Sequence, residues 1–177
     1  MTTHSSNLAT NLVIEAVGLE RVFAVARECG PGLDLRRLID DRPANRAGIR
    51  NEVTARGMAR FWADLVAGTL LGPGGTDAAL DLLGRNLWND EIPAGLPPGT
   101  RVAHKNGWDD GIRHDTGLVL AADAPPYVLV VLTTGLVDPV AQPLIAAWSA
   151  WSWQHRSELD GPLTPPAELA ARGVSGD

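Results

Sequence analysis

The residues Tyr127 to Thr134 read YVLVVLTT, an uncharged run between Asp123-Ala124-Pro125-Pro126 and Gly135. Apolar side chains fall on both sides of any strand formed here, so it must be largely buried and find cover on both faces. The run is far too short to span a bilayer, and no segment approaches about 18 apolar residues. The chain must therefore build a sheet in its second half and lay other elements against it.

The flanking sequence supplies the partners. Gly95-Leu96-Pro97-Pro98-Gly99 predicts a turn, Thr100 to Lys105 a short strand, Asn106 to Gly111 a second turn, and Arg113 to Ala121 the return strand. Pro139 to Gln154 then reads as a helix whose Leu144, Ile145, Trp148 and Trp151 pack as core against the sheet. The first half has helical periodicity. Ser6 or Asn7 caps a segment through Val17, with Leu8, Leu12 and Ile14 on its apolar side and Gly18 ending it. Leu19 to Cys29 follows and stops at Gly30-Pro31-Gly32. Residues 33–51 give a turn of helix and then loop. Thr54 caps a helix to Leu71, Gly72-Pro73-Gly74-Gly75 breaks it, and Thr76 begins another through Leu87. The expected class is α+β: helices, a three-strand antiparallel meander, and a C-terminal covering helix, in one domain over 1–157. Residues 158–177, poor in large apolar side chains, read as a loosely packed tail.

Composition narrows the function. A net charge of −6 offers no basic stripe for phosphates, which argues against nucleic acid as a partner. Met1 is not followed by a charged-then-apolar leader. Cys29 is the single cysteine, so no intramolecular disulfide forms, and its place at a helix end reads as a small buried hydrophobe. Fourteen arginines stand against one lysine, Lys105. It lies in His104-Lys105-Asn106-Gly107-Trp108, where a strand end presents the ammonium and Gly107 lets a ligand approach the backbone. A solvated hairpin lysine is the plain alternative. A metal centre from His104, Asp110, His114 and Asp115 is another, without any His-x-x-x-His or cysteine cluster behind it.

Ser5-Ser6-Asn7 opens a helix, and Lys105-Asn106-Gly107 follows about a hundred residues later. Together they resemble two of the three motifs of the penicillin-recognising serine hydrolases, the family of class A β-lactamases and penicillin-binding proteins. Ser5 through Leu12 resembles the Ser-Asp-Asn segment and its helix; Gly95 through Gly107 resembles the turn and strand leading into Lys-Thr-Gly; Thr54-Ala55 resembles the segment after the Ω loop. The match covers roughly residues 1–155.

The resemblance implies a β-lactamase/transpeptidase-like fold, no cofactor or metal, and a small-molecule β-lactam or peptide-like amide as substrate. Ser5 would relay a proton to the leaving nitrogen. Asn7 would hold the substrate's side-chain amide. Lys105 would supply positive potential beside Ser5 and the substrate carboxylate. The Trp108 N–H would serve an oxyanion hole, and Arg113 would pair with the carboxylate beside Gly107. Family members are commonly exported, and any signal for export would lie upstream of this start.

Three positions depart from the pattern. Ser6 stands where Asp is usual. Asn106 replaces the Thr or Ser of Lys-Thr-Gly, so an amide must take over from a hydroxyl in binding the carboxylate. Asp41 takes the place of the Ω-loop glutamate, one methylene shorter; it is either the deacylation base or a salt-bridge partner of Arg37 or Arg42.

The third motif, Ser-x-x-Lys, carries the nucleophile. With Lys105 the only lysine, it requires a serine at 102, where Val102 stands. The expectation is a C-terminal portion of the family fold that lacks the nucleophile helix and the first strands and is inactive by itself. In that case Tyr127–Thr134 becomes an exposed edge open to self-association. A non-catalytic penicillin-binding relic, or a peptidase or esterase of the same fold, are the other readings.

Overall fold

A computed structural model describes residues 1–159. The expected tail, apart from its first two residues, lies outside them. The chain is α+β and forms two compact units, Met1–Leu80 and Asp81–Asp177.

In the first unit, α1 (Asn7–Val17) starts at Ser6, whose Oγ accepts from Ala9 N at 3.2 Å. Capping of this kind satisfies one of the orphan amides of a helix start. The apolar side expected for α1 is not a core face: none of its residues is buried, and Leu8 and Leu12 are exposed. Next comes α2 (Leu19–Glu28), and Cys29 behind it is buried as expected. Burial, helped by the charges of Asp64 and Glu28, pushes its thiol up, which keeps it protonated and inert.

The stretch read as helix and loop holds more order than its arginine-rich sequence suggests. β1 (Leu33–Asp34) pairs antiparallel with β2 (Glu52–Val53), with α3 (Arg42–Arg46) between them. Asn51 stitches this excursion together: its Oδ1 accepts from Arg36 N and Arg37 N, and its Nδ2 donates to Arg37 O. α4 (Ala55–Val66) is capped by Thr54 and buries Gly57, Trp62 and Leu65. It ends five residues before the expected Leu71. Gly72 begins α5 (Gly72–Leu83) instead of breaking a helix.

In the second unit, β3 (Arg101–Asp109), β4 (Ile112–Leu120) and β5 (Tyr127–Thr134) form an antiparallel meander. α6 (Asp138–Gln154) contacts β4, β5 and the 3₁₀ turn Pro93–Gly95. The β5 ends coincide with those read from the sequence. The first hairpin does not: β3 runs through Asn106 to Asp109, and the turn is only Asp110-Gly111, with Gly111 at φ 68°. This tighter turn sets the register Lys105↔Thr116, Gly107↔His114 and Trp108↔Arg113.

The core of this unit gathers Ile92, Leu96, Val119, Tyr127 and Ile145, with Val102, Leu129, Val131 and Trp153 against it. Full burial of each large side chain contributes roughly 1.5–3 kcal/mol. The 3₁₀ turn reaches α6 so closely that a Cβ on Gly95 would lie 2.0 Å from Ala146 O. Ser149 Oγ donates to Ile92 O at 2.7 Å across the same contact. β5 is less buried than its composition suggests: only Tyr127 and Thr133 are buried. It is an edge strand, and a cavity of about 360 Å3 lies along it, lined also by Leu144, Trp148 and Trp151 of α6. The tryptophans expected in a closed core therefore wall a cavity.

Candidate active site

In the first unit, Ser5 precedes the α1 cap and holds a left-handed backbone at φ 55°. A serine in that region is uncommon and costs on the order of 1–3 kcal/mol, so the surrounding structure holds it there. Asn7 donates from Nδ2 to Asp40 Oδ2 at 3.0 Å. Asn11, one helical turn on, grips the backbone of Ile39 twice: Nδ2 donates to Ile39 O at 2.8 Å, and Oδ1 accepts from Ile39 N at 3.2 Å. The start of α1 is thereby tied to the 39–41 loop. The carboxylate joined to Asn7 belongs to Asp40, also left-handed at φ 58°. Asp41 turns to α3, where its Oδ1 accepts from Ala44 N at 3.0 Å and caps the helix. Neither Arg37 nor Arg42 forms an ion pair with it among the described residues.

In the second unit, strand alternation decides what Lys105 shares a face with. Gly107 sits two residues along, and the register adds Thr116 and His114 from β4. The opposite face carries His104, Asn106, Trp108, Arg113 and Asp115. Burial pushes the Lys105 ammonium below its ordinary value, with the negative charges of Asp115 and Glu91 partly offsetting that. Its Nζ donates to Asn106 O.

The opposite face is a buried polar network that local sequence reading missed, because its hub lies outside the sheet. Glu91, fully buried, accepts from Arg113 Nε at 2.7 Å and from Asn106 Nδ2 at 3.0 Å. Arg113 Nη1 also reaches Asp138 at 3.3 Å, and its guanidinium lies over the Trp108 ring. Thus Asn106 and Arg113, both expected to meet a substrate carboxylate beside Lys105, direct their side chains to Glu91 on the other face.

Beside them, His104 Nδ1 meets Asp115 Oδ1 at 3.0 Å and its Nε2 meets Asn89 Oδ1 at 3.2 Å. Asp115 Oδ2 accepts from Ile92 N at 3.0 Å. The His104 ring fits because Gly117, its cross-strand partner, has no side chain: a Cβ there would lie 2.6 Å from His104 Cβ. His104 and His114 are on opposite faces, and among the described residues no three His, Cys, Asp or Glu side chains are grouped to hold a metal ion. The metal-centre reading fails on that register.

The backbone of β3 completes the picture. Lys105 O accepts from Thr116 Oγ1 toward β4, whereas His104 O accepts from Asn86 and Asn106 O from Lys105. The even-numbered residues thus turn their main-chain groups away from β4, toward the open edge, as alternating narrow and wide pairs require. The Trp108 N–H belongs to that set. A main-chain donor at an open strand edge, one residue beyond a glycine and three beyond a lysine, can face a developing oxyanion.

These local geometries, Ser-x-Asn at a helix start and Lys-x-Gly on an edge strand, match two motifs of the penicillin-recognising serine hydrolase family. The chain belongs to the β-lactamase enzyme family, whose model matches residues 1–155. Solved structures agree. A variant of PBP-A, an acyl-enzyme complex with penicillin G, is 28% identical with a TM-score of 0.74, covering 87% of this chain and 58% of its own. The β-lactamase from Sphaerobacter thermophilus is 27% identical with a TM-score of 0.76, over 89% of this chain and 60% of its own. A variant of the last common ancestor of Gram-negative bacteria class A β-lactamase is 26% identical with a TM-score of 0.75, over 86% and 61%. This chain therefore spans about three fifths of the length of these proteins. No curated protein matches it.

Proposed function

We propose that this chain supplies the recognition part of a serine hydrolase acting on a β-lactam or a related peptide-like amide, and that acylation requires a nucleophile it does not contain. The lysine count carries this reading: one lysine, within Lys-x-Gly, leaves no Ser-x-x-Lys in the 177 residues. Ser5 relays the proton to the leaving nitrogen. Asn7, its Nδ2 committed to Asp40, keeps its carbonyl for a substrate N–H. Lys105 draws the substrate carboxylate, and the Trp108 N–H stabilises the oxyanion. A base role for Asp41 falls to Oδ2, since Oδ1 caps α3. The edge of β5 and its adjoining cavity pair with a further polypeptide strand, a second copy of this chain when nothing else is present.

Isothermal titration with benzylpenicillin, together with intact-protein mass spectrometry, tests the reading. The expected result is reversible binding that Lys105→Ala abolishes, with no covalent adduct. Covalent acylation of any serine of this chain overturns it, as does the absence of binding. The non-catalytic reading is separated by adding the nucleophile: a Ser-x-x-Lys segment joined in frame restores nitrocefin turnover only if the recognition residues remain competent.

A further inference from the structure

The Trp108 N–H belongs to a stretch of β3 that its chain neighbours do little to hold. Gly107 before it has no side chain, and a Cβ there would meet nothing within 4 Å. Asp109 after it is exposed and leads into the Asp110-Gly111 turn. The main-chain groups of Trp108 turn toward the open edge, so no ladder bond to β4 fixes them. What remains to orient this amide is the Trp108 side chain, acting through its own Cα.

That side chain is gripped from two directions. Arg113, the cross-strand partner of Trp108, lays its guanidinium 5.1 Å from the ring centroid. Trp88 meets the ring edge to face, with centroids 5.4 Å apart and an interplanar angle of 68°. Both geometries are attractive ones. Each gripping group is tied in turn to Glu91. Arg113 Nε donates to Glu91 Oε1 at 2.7 Å, while Asn106 Nδ2 donates to Glu91 Oε2 at 3.0 Å and to Trp88 O at 3.4 Å. The contacts close a ring from Glu91 through Arg113, Trp108, Trp88 and Asn106 back to Glu91. Glu91 and Arg113 are buried, whereas Trp88 and Trp108 are 42% and 45% exposed. An apolar pair of like volume would pack in place of the buried ions; only a guanidinium also offers the indole a flat cationic face.

We infer that Arg113 is a positioning residue: anchored by Glu91, it fixes the Trp108 ring and, through it, the main-chain N–H that faces a developing oxyanion. This rests on the reading of the chain as a recognition module for a β-lactam or related amide. Arg113 acts through Trp108 and does not touch the ligand. Misplacing a group at the reacting centre by about an ångström can cost on the order of 10²-fold in rate, so the clamp sets how well the lactam carbonyl is polarised.

Difference infrared spectra of benzylpenicillin, isotope-labelled at its lactam carbonyl, test this. A well-aimed N–H lowers the stretching frequency of that carbonyl, whereas a cation held at the ligand's carboxylate moves the separate carboxylate band. Spectra are taken at saturating ligand, so changes in affinity drop out. The variant is Glu91→Leu with Arg113→Met, which removes both buried charges together; Arg113→Lys, which keeps a charge for Glu91 but no planar face, serves if the double change does not fold. The wild-type chain should lower the lactam frequency, and the variant should lose most of that lowering while the carboxylate band stays where it was. Full lowering in the variant overturns the inference, as does a moved carboxylate band with the lactam band unchanged. A wild-type chain that binds benzylpenicillin without lowering the lactam frequency also overturns it, and leaves the recognition reading standing. A wild-type chain that does not bind overturns both.

Discussion

Glu91 joins β3 and β4 to the preceding loop through a buried ion pair with Arg113 and a hydrogen bond from Asn106. Its carboxylate is fully buried, and the Arg113 side chain opposite is 8% exposed. Breaking a buried ion pair by removing one partner costs about 3–5 kcal/mol, because the other charge stays behind without compensation. Asp138 still reaches Arg113 at 3.3 Å but is 55% exposed, which places Glu91→Gln near the lower end, at about 3 kcal/mol. For a chain of this length that corresponds to a fall in Tm of roughly 6–12 °C. Five of the six tryptophans lie in the second unit, so fluorescence during urea unfolding reports on it directly. Replacing both partners by apolar residues, Glu91→Leu with Arg113→Met, should recover at least about 1 kcal/mol relative to the sum of the single changes. Loss of less than 1 kcal/mol in Glu91→Gln, with additive single changes, would refute the claim that Arg113 is committed to Glu91. It would return Arg113 to the pool of ligand-binding side chains.

Other consequences follow from the same packing. Gly117→Ala drives a methyl into His104 and Ala103 O and should cost about 1–3 kcal/mol, read from urea midpoints; a neutral result would show that the pair can separate freely. Because burial lowers the His114 pKa from its ordinary 6.5, the unfolded chain takes up that proton first as pH falls. The contribution is complete above pH 6.5 and is lost as pH drops through the lower folded value. His114→Gln should flatten that part of the stability profile, and an unchanged slope would exclude His114 as its source. If the β5 edge pairs between copies, sedimentation velocity should show concentration-dependent association that Val130→Lys suppresses; a wild-type monomer at every concentration would contradict edge pairing.

The sequence made β5 legible to the residue because prolines and a glycine bracket an uncharged apolar run. Ser6 was readable as a cap because it stands immediately before the helical period. The first hairpin was harder, since Asn106-Gly107 and Asp110-Gly111 are both good turn pairs. Only the second is used, and that choice fixes the parity of every later residue. Parity is why Lys105 and Arg113, adjacent in the motif logic, face opposite ways and why His114 takes the place beside Gly107. Glu91 and Asn51 left no periodic signal, because each acts from a loop on segments distant in sequence. In α1 the period marked an apolar side without saying what covers it.

Amide resonances recorded during titration with benzylpenicillin test the central claim most directly. Recognition without acylation predicts saturable shifts centred on Lys105, Gly107, Trp108 and His114, reversed by dialysis. Shifts scattered over the chain, none at saturating ligand, or a set that persists after dialysis would contradict it.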